Sequence, residues 1–169
     1  MVGLPAAGKT TRAKEIEEER RALRLTPDEW MIPLFNHNDA DGKRNVLEGR
    51  FIWLALGALR HDIDVVLDFG VWGKVERTAL RALAAEAGAS CELVYLEVDE
   101  DEQRRRRDSR GSEDPELTFY ITDEDLEEYR QRFEPPDEFE LSGVELDRPP
   151  AGHSTWSSWA SEWWPTSMQ

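Results

Sequence analysis

The chain has 169 residues, enough for one domain with a real core, and a formal net charge of −15. That acidity argues against a general surface for nucleic acid or anionic membrane, because phosphate-bearing partners need a basic footprint. The lone Cys91 excludes an intrachain disulfide, and no apolar run approaches membrane-spanning length, so a soluble cytoplasmic protein is expected.

Gly3-Leu4-Pro5-Ala6-Ala7-Gly8-Lys9-Thr10, followed by Thr11, fits the phosphate-binding pattern G-x-x-x-x-G-K-[ST]. The two glycines let the backbone of Gly3, Pro5, Ala6, Ala7, Gly8 and on to Thr11 bend round one concavity, into which the N–H groups of all but Pro5 can point. Lys9 is placed to bridge the β- and γ-phosphates, and the Thr10 hydroxyl to ligate Mg²⁺. Only Met1 and Val2 precede the loop, so the strand that normally presents it is almost missing. A late start or an unusually short native strand would each account for this.

Lys9 to about Arg21 is charged and helix-favouring, with Ala13 and Ile16 as a thin apolar stripe. Ala22–Leu25 is a short strand candidate, broken by Thr26-Pro27-Asp28. Asp28 therefore lies just past a strand's carboxyl end, where open α/β sheets bind ligands; a helix N-cap is the plainer reading of the same residue. Asn36 to Gly42 reads as an exposed loop. Over Lys43–Arg60, Leu47, Phe51, Leu54, Ala55, Ala58 and Leu59 recur at helical spacing. Ile63 to Asp68 is a β-branched run closing on a carboxylate, the Walker-B-like pattern in which Asp68 holds Mg²⁺ directly or through water. Val75–Ala87 forms the next helix, stopped by Gly88, and Cys91–Val98 the next strand, with Cys91 packed inside. The order argues for an α/β fold: a central parallel sheet flanked by helices in a three-layer sandwich with a small helical lid.

Asp99–Arg110 carries Arg104-Arg105-Arg106-Arg107 and Arg110 on a helix. Such runs usually form a solvated face pairing with neighbouring acids. A consecutive run nevertheless sends guanidinia all round the helix, so one or two, with Arg107 and Arg110 as candidates, can act from a lid at about 100–121 on the transferring phosphoryl group. Thr122-Asp123-Glu124-Asp125 is a capping-box variant opening a helix that Pro135-Pro136 ends. A last weak strand is expected within Asp137–Asp147. Pro149–Gly152 marks a boundary at about 150, after which 151–169 forms a tail whose Trp156, Trp159, Trp163 and Trp164 pack on the body.

The phosphate loop, Asp28, Asp68-Phe69-Gly70, the arginine run and Arg132-Phe133-Glu134-Pro135-Pro136 together resemble the small P-loop kinases. That group includes chloramphenicol phosphotransferase, zeta toxins, polynucleotide kinase and many ATP-binding proteins called AAA family ATPases. The likeness spans about Met1 to Pro136. It implies transfer of the ATP γ-phosphate to a hydroxyl of a small-molecule acceptor, with Mg²⁺ as cofactor and Asp28 as general base. Polynucleotide kinase carries an Arg where this chain has Met31, so a nucleic-acid 5′-hydroxyl is the lesser expectation. An ATPase without phosphotransfer and a nucleotide-gated binding module are the remaining readings. A motor ATPase commonly places Glu after its Walker-B Asp; here Phe69 stands there.

Overall fold

The computed structural model describes residues 1–37, 41–113, 121–143 and 147–168. Helix α1 (Lys9–Arg20) leads to β1 (Leu23–Leu25), α2 (Asp28–Phe35), α3 (Lys43–Leu59), β2 (Val65–Leu67) and α4 (Lys74–Glu86). Then follow α5 (Glu100–Glu113), α6 (Asp123–Arg132), the short α7 (Glu138–Leu141) and α8 (Trp156–Trp163). Strands β1 and β2 pair in parallel, with Leu23 opposite Val65 and Leu25 opposite Leu67. The Met1 ammonium donates to Leu67 O at 2.8 Å. On its other side Val2 makes a parallel bridge to Tyr95, donating to Val94 O at 2.9 Å and accepting from Leu96 N at 3.0 Å. Extended backbone thus runs across the molecule in the order β1, β2, Met1–Val2, Val94–Leu96.

Alternation along the strands sorts side chains into two layers, as a period of two requires. Val66 points to α1 and packs with Ala13, Ile16 and Ala22. Val65 and Leu67 point the other way, toward Phe51 and Ala55 of α3. A further cluster joins Ile52 of α3 and Leu83 of α4 to Trp156, Trp159, Ala160 and Trp164, so these three tryptophans pack against the helical layer, whereas Trp163 is half exposed. The fold is α/β with helices on both faces of a small parallel sheet.

Several expectations need correction. The Cys91–Val98 strand is reduced to the single Val2–Tyr95 bridge. Among the described residues, Met1 and Val2 bridge this segment and β2, and Cys91–Leu93 line a cavity of about 540 Å³. Cys91 is accordingly exposed. In α3 Ile52 is buried and Leu54 exposed, the reverse of the simple periodic assignment, because the α4–Trp cluster covers the flank bearing Ile52. The strand expected within Asp137–Asp147 is replaced by α7 (residues 144–146 lie outside those described). Asp137 caps that helix by accepting from Glu140 N at 2.8 Å. The buried Glu140 then takes a two-pronged bond from Arg77 of α4, at 2.8 and 3.0 Å. Residues 38–40 of the expected loop and 114–120 of the expected lid also lie outside those described. Among the described residues no helix is long and apolar enough to cross a membrane.

Candidate nucleotide and acceptor site

The turn from Val2 into α1 is a backbone device. Gly3, Ala6 and Gly8 have φ of 145°, 63° and 96°, so the peptide planes flip along the loop and N–H groups gather on one side. Gly3 is required on two counts: its φ is left-handed, and a Cβ there would meet Leu96 O at 2.5 Å. Ala6 holds a left-handed φ without being glycine, a strain kept where the surroundings over-determine it. Those surroundings grip the loop's carbonyls. Gln103 of α5 donates to Pro5 O at 2.9 Å, and Arg106 to Ala6 O at 3.4 Å. Gln103 is fully buried and accepts in turn from Arg130 of α6 at 2.5 Å. With carbonyls tied back to α5, the N–H side of the loop and the amino end of α1 form a concavity suited to an anion.

Lys9 Nζ donates to Leu4 O at 2.8 Å, folded back over its own loop. Its stem lies against Gly70, where a Cβ would come within 3.0 Å of Lys9 Cε and 3.6 Å of the Trp72 indole nitrogen. Gly70, at φ 72°, therefore lets the β2 exit pass beneath the lysine. Asp68, 4% exposed, continues the sheet by donating its N–H to Leu25 O at 2.9 Å. The nearby Thr10 hydroxyl favours the charged form of Asp68, yet Oδ2 has no hydrogen-bond partner among the described residues. The nearest cation is Arg24 Nη1 at 3.6 Å, itself buried without a hydrogen-bond partner there. Burial raises the Asp68 pKa, against the pull of Thr10, the N-terminal ammonium, Lys9 and Arg24. A hydroxyl beside a carboxylate with an orphaned buried oxygen is a donor set that fits Mg²⁺, which favours one or two protein oxygens beside phosphate and water.

Opposite lies a second group. Asp28 is the first residue of α2; Pro27 occupies the cap position and no side chain caps the helix, so Asp28 is not an N-cap. Its side chain is 70% exposed and accepts from Arg44 Nη1 of α3 at 2.9 Å. Arg44 Nε also donates to Glu48 Oε1 at 3.0 Å. Tyr129 of α6 feels the charges of Arg44 and Arg132, while burial raises the pKa of its hydroxyl. Its ring packs on Trp72 with centroids 5.0 Å apart. Trp72 thus packs on Tyr129 while its indole nitrogen borders Gly70, the residue that also lies against the Lys9 stem.

Of the arginine run, Arg106 is the member whose described contacts reach the phosphate loop. Arg107 is held by Asp108 and by Asp123 of α6, at 2.8 and 2.6 Å. Arg104 pairs with Glu100, and Arg105 with Glu102. Arg110 lies in α5 with its side chain outside the described set. Sequence reasoning passed over Gln103, Arg130, Arg24, Arg44 and Glu48. Gln103, Arg130 and Arg24 act across tertiary contacts that leave no spacing to read. Only Arg44 and Glu48, four residues apart on one helix face, carry a local signal.

The family model described as "AAA domain" matches residues 1–136. No curated protein matches the chain.

Proposed function

The chain belongs to this AAA-domain family, a P-loop NTPase-like kinase family that includes kinases of the chloramphenicol phosphotransferase and zeta-toxin type, and from that premise we propose that it is an ATP- and Mg²⁺-dependent phosphotransferase acting on a small-molecule hydroxyl. The observation that supports the reading is the exposed Asp28 carboxylate, just past the carboxyl end of β1 and held by Arg44, in a chain whose phosphate loop carries Lys9 at the start of α1. The loop N–H groups hold the phosphates, and Lys9 exchanges Leu4 O for a β- or γ-phosphate oxygen. Thr10 and Asp68 are the residues that would hold Mg²⁺, which when bound offsets charge on the phosphates. Asp28 orients the acceptor hydroxyl and takes its proton as the new O–P bond forms and the β–γ bridging bond breaks. Arg106, bonded to the Ala6 carbonyl, stands at the loop to meet the developing charge, with Arg107 and Arg110 of the same helix as the further candidates; Arg107 serves there only after leaving Asp108 and Asp123. Little covalent chemistry is asked of the protein, because positioning and electrostatics carry phosphoryl transfer.

An ATPase reading is less well supported. Phe69, where a water-orienting glutamate would stand, packs on Phe51 with centroids 6.1 Å apart and offers no polar atom to water. The net charge of −15 likewise favours a small acceptor over a polynucleotide. Asp28→Asn separates the roles. Acceptor-dependent turnover should fall at least about 100-fold, with ATP affinity within about twofold of wild type. Retained turnover in that variant removes Asp28 as the base.

A further inference from the structure

The C-terminal segment after α8 is seated on α3 beside the acceptor site, and it is held there by specific polar contacts. Trp164 is 2% exposed, and its indole N–H donates to Glu48 Oε2 at 3.2 Å. Thr166 Oγ1 donates to Val46 O at 3.0 Å, and Arg50 donates to Thr166 O at 3.2 Å. Between these bonds the backbone lies directly on Gly49, where a Cβ would come 2.1 Å from Pro165 O. The other oxygen of Glu48 takes Arg44 Nε, and Arg44 Nη1 takes Asp28. One continuous hydrogen-bonded series therefore runs from Trp164 through Glu48 and Arg44 to the carboxylate at the start of α2.

We propose that Arg44 is a positioning residue for Asp28, and that the Trp164–Thr166 segment, by anchoring Glu48 and the first turns of α3, holds Arg44 in place. The inference rests on the reading of Asp28 as the acceptor-side base. Arginine suits the task because its planar fork bonds two carboxylates at once in fixed directions. Glu48 is the fixed one: half of it is spent on Trp164, and burial keeps it in place. Asp28 is the exposed one, and one guanidinium bond on Oδ1 leaves Oδ2 to face an incoming hydroxyl. A carboxylate at an exposed helix start would otherwise sample several rotamers, and misplacement by about 1 Å costs up to about 100-fold in rate. The tail is thereby part of the acceptor site without touching substrate.

The test uses the full chain with ¹³C-labelled aspartate. Gly49→Ala puts a methyl group into the Pro165 carbonyl, lifting the segment without touching Arg44, Glu48 or Trp164, while alanine favours the helix itself. The Asp28 carboxyl resonance should move toward its position in Arg44→Gln. With an acceptor in hand, kcat should fall about tenfold with KM for ATP and acceptor within about twofold of wild type. Arg44→Lys, a point charge without the planar fork that fixes both bond directions, should restore only part of the activity lost in Arg44→Gln. If the segment reseats around the new methyl group, shown by an unmoved Trp164 indole N–H resonance, Trp164→Phe makes the same break. An Asp28 resonance left at its wild-type position in a folded variant whose Trp164 bond is gone overturns the proposal. A chain that transfers no phosphate to any acceptor fails the functional reading instead, and the resonance still decides the positioning.

Discussion

The two sides of the site are built on different principles. The phosphate side is local: eight consecutive residues bend the backbone, and Lys9 and Thr10 open the first turn of α1. The acceptor side is assembled from α2, α3, α6 and the β2 exit, and each contributes one or two side chains. Backbone donors give the first side a recognition that tolerates change in the loop's middle residues. The second side depends on side-chain rotamers held by tertiary contacts, so on the proposed function acceptor identity is set there and distant substitutions are felt there.

The widest contrast comes from Lys9→Ala. It should reduce turnover by roughly 10²–10³-fold or more and weaken ATP binding as well, whereas the acceptor-side change Asp28→Asn spares ATP. Equal effects of the two on ATP affinity would erase the division.

Next in size is Glu48→Gln. Burial pushes the Glu48 pKa up from 4.5 to about 7, against Arg44 and Trp164 and with the help of Glu76. An acid whose folded pKa exceeds its unfolded value binds its proton more tightly when folded. The native state thus carries more protons between those two values, and stability falls as pH rises from about 4.5 to about 7. The full cost, reached above that window, is roughly 3 kcal/mol. Glutamine removes the charge but offers one carbonyl oxygen in place of two, so it keeps an acceptor for either Trp164 or Arg44, and urea unfolding of Glu48→Gln should lose that slope. A slope unchanged from wild type would place the titration elsewhere.

Gly3→Ala should cost about 2 kcal/mol or more in unfolding free energy, through the Leu96 carbonyl and the left-handed φ together. The loop's second glycine is in a different position. Gly8, at φ 96°, has only the far end of Arg106 near its Cβ position, at 3.7 Å. Gly8→Ala should therefore be the milder of the two, and the reverse ranking would show that α5, not the sheet, holds the loop.

The smallest stability effect belongs to Asp68→Asn. The raised pKa of Asp68 means that its charge disfavours the fold, in the same sense as Glu48, as pH rises past the unfolded carboxylate range. Asparagine should leave the nucleotide-free protein as stable as wild type or more so at neutral pH. In the same variant ATP binding should lose its dependence on Mg²⁺, read by titration with and without the metal.

The sequence shows the phosphate side almost whole, because a motif of fixed spacing determines backbone geometry within one turn. It also shows α1, α3, α4 and the α6 capping box, where apolar periodicity or cap chemistry acts within a few residues. Asp28 and Asp68 emerge as strand-end carboxylates, but their surroundings do not. Arg24, buried beside Asp68, reads in the sequence as an ordinary charge inside a short strand. The seat of the tail on Gly49 is equally hidden, since a glycine inside α3 signals only a weak spot until the Pro165 carbonyl is found against it. The Cys91–Val98 strand shows the converse failure: β propensity is present, but a strand needs a neighbour, and only Met1 and Val2 stand next to it.

The most direct measurement is ATP consumption with Mg²⁺ across a panel of hydroxyl acceptors, run beside Lys9→Ala. Antibiotics, nucleosides, sugar nucleotides and 5′-hydroxyl oligonucleotides should all be included. ADP release that depends on a small-molecule acceptor, and disappears in Lys9→Ala, is the predicted result. ATP hydrolysis at one rate whatever acceptor is present would contradict it.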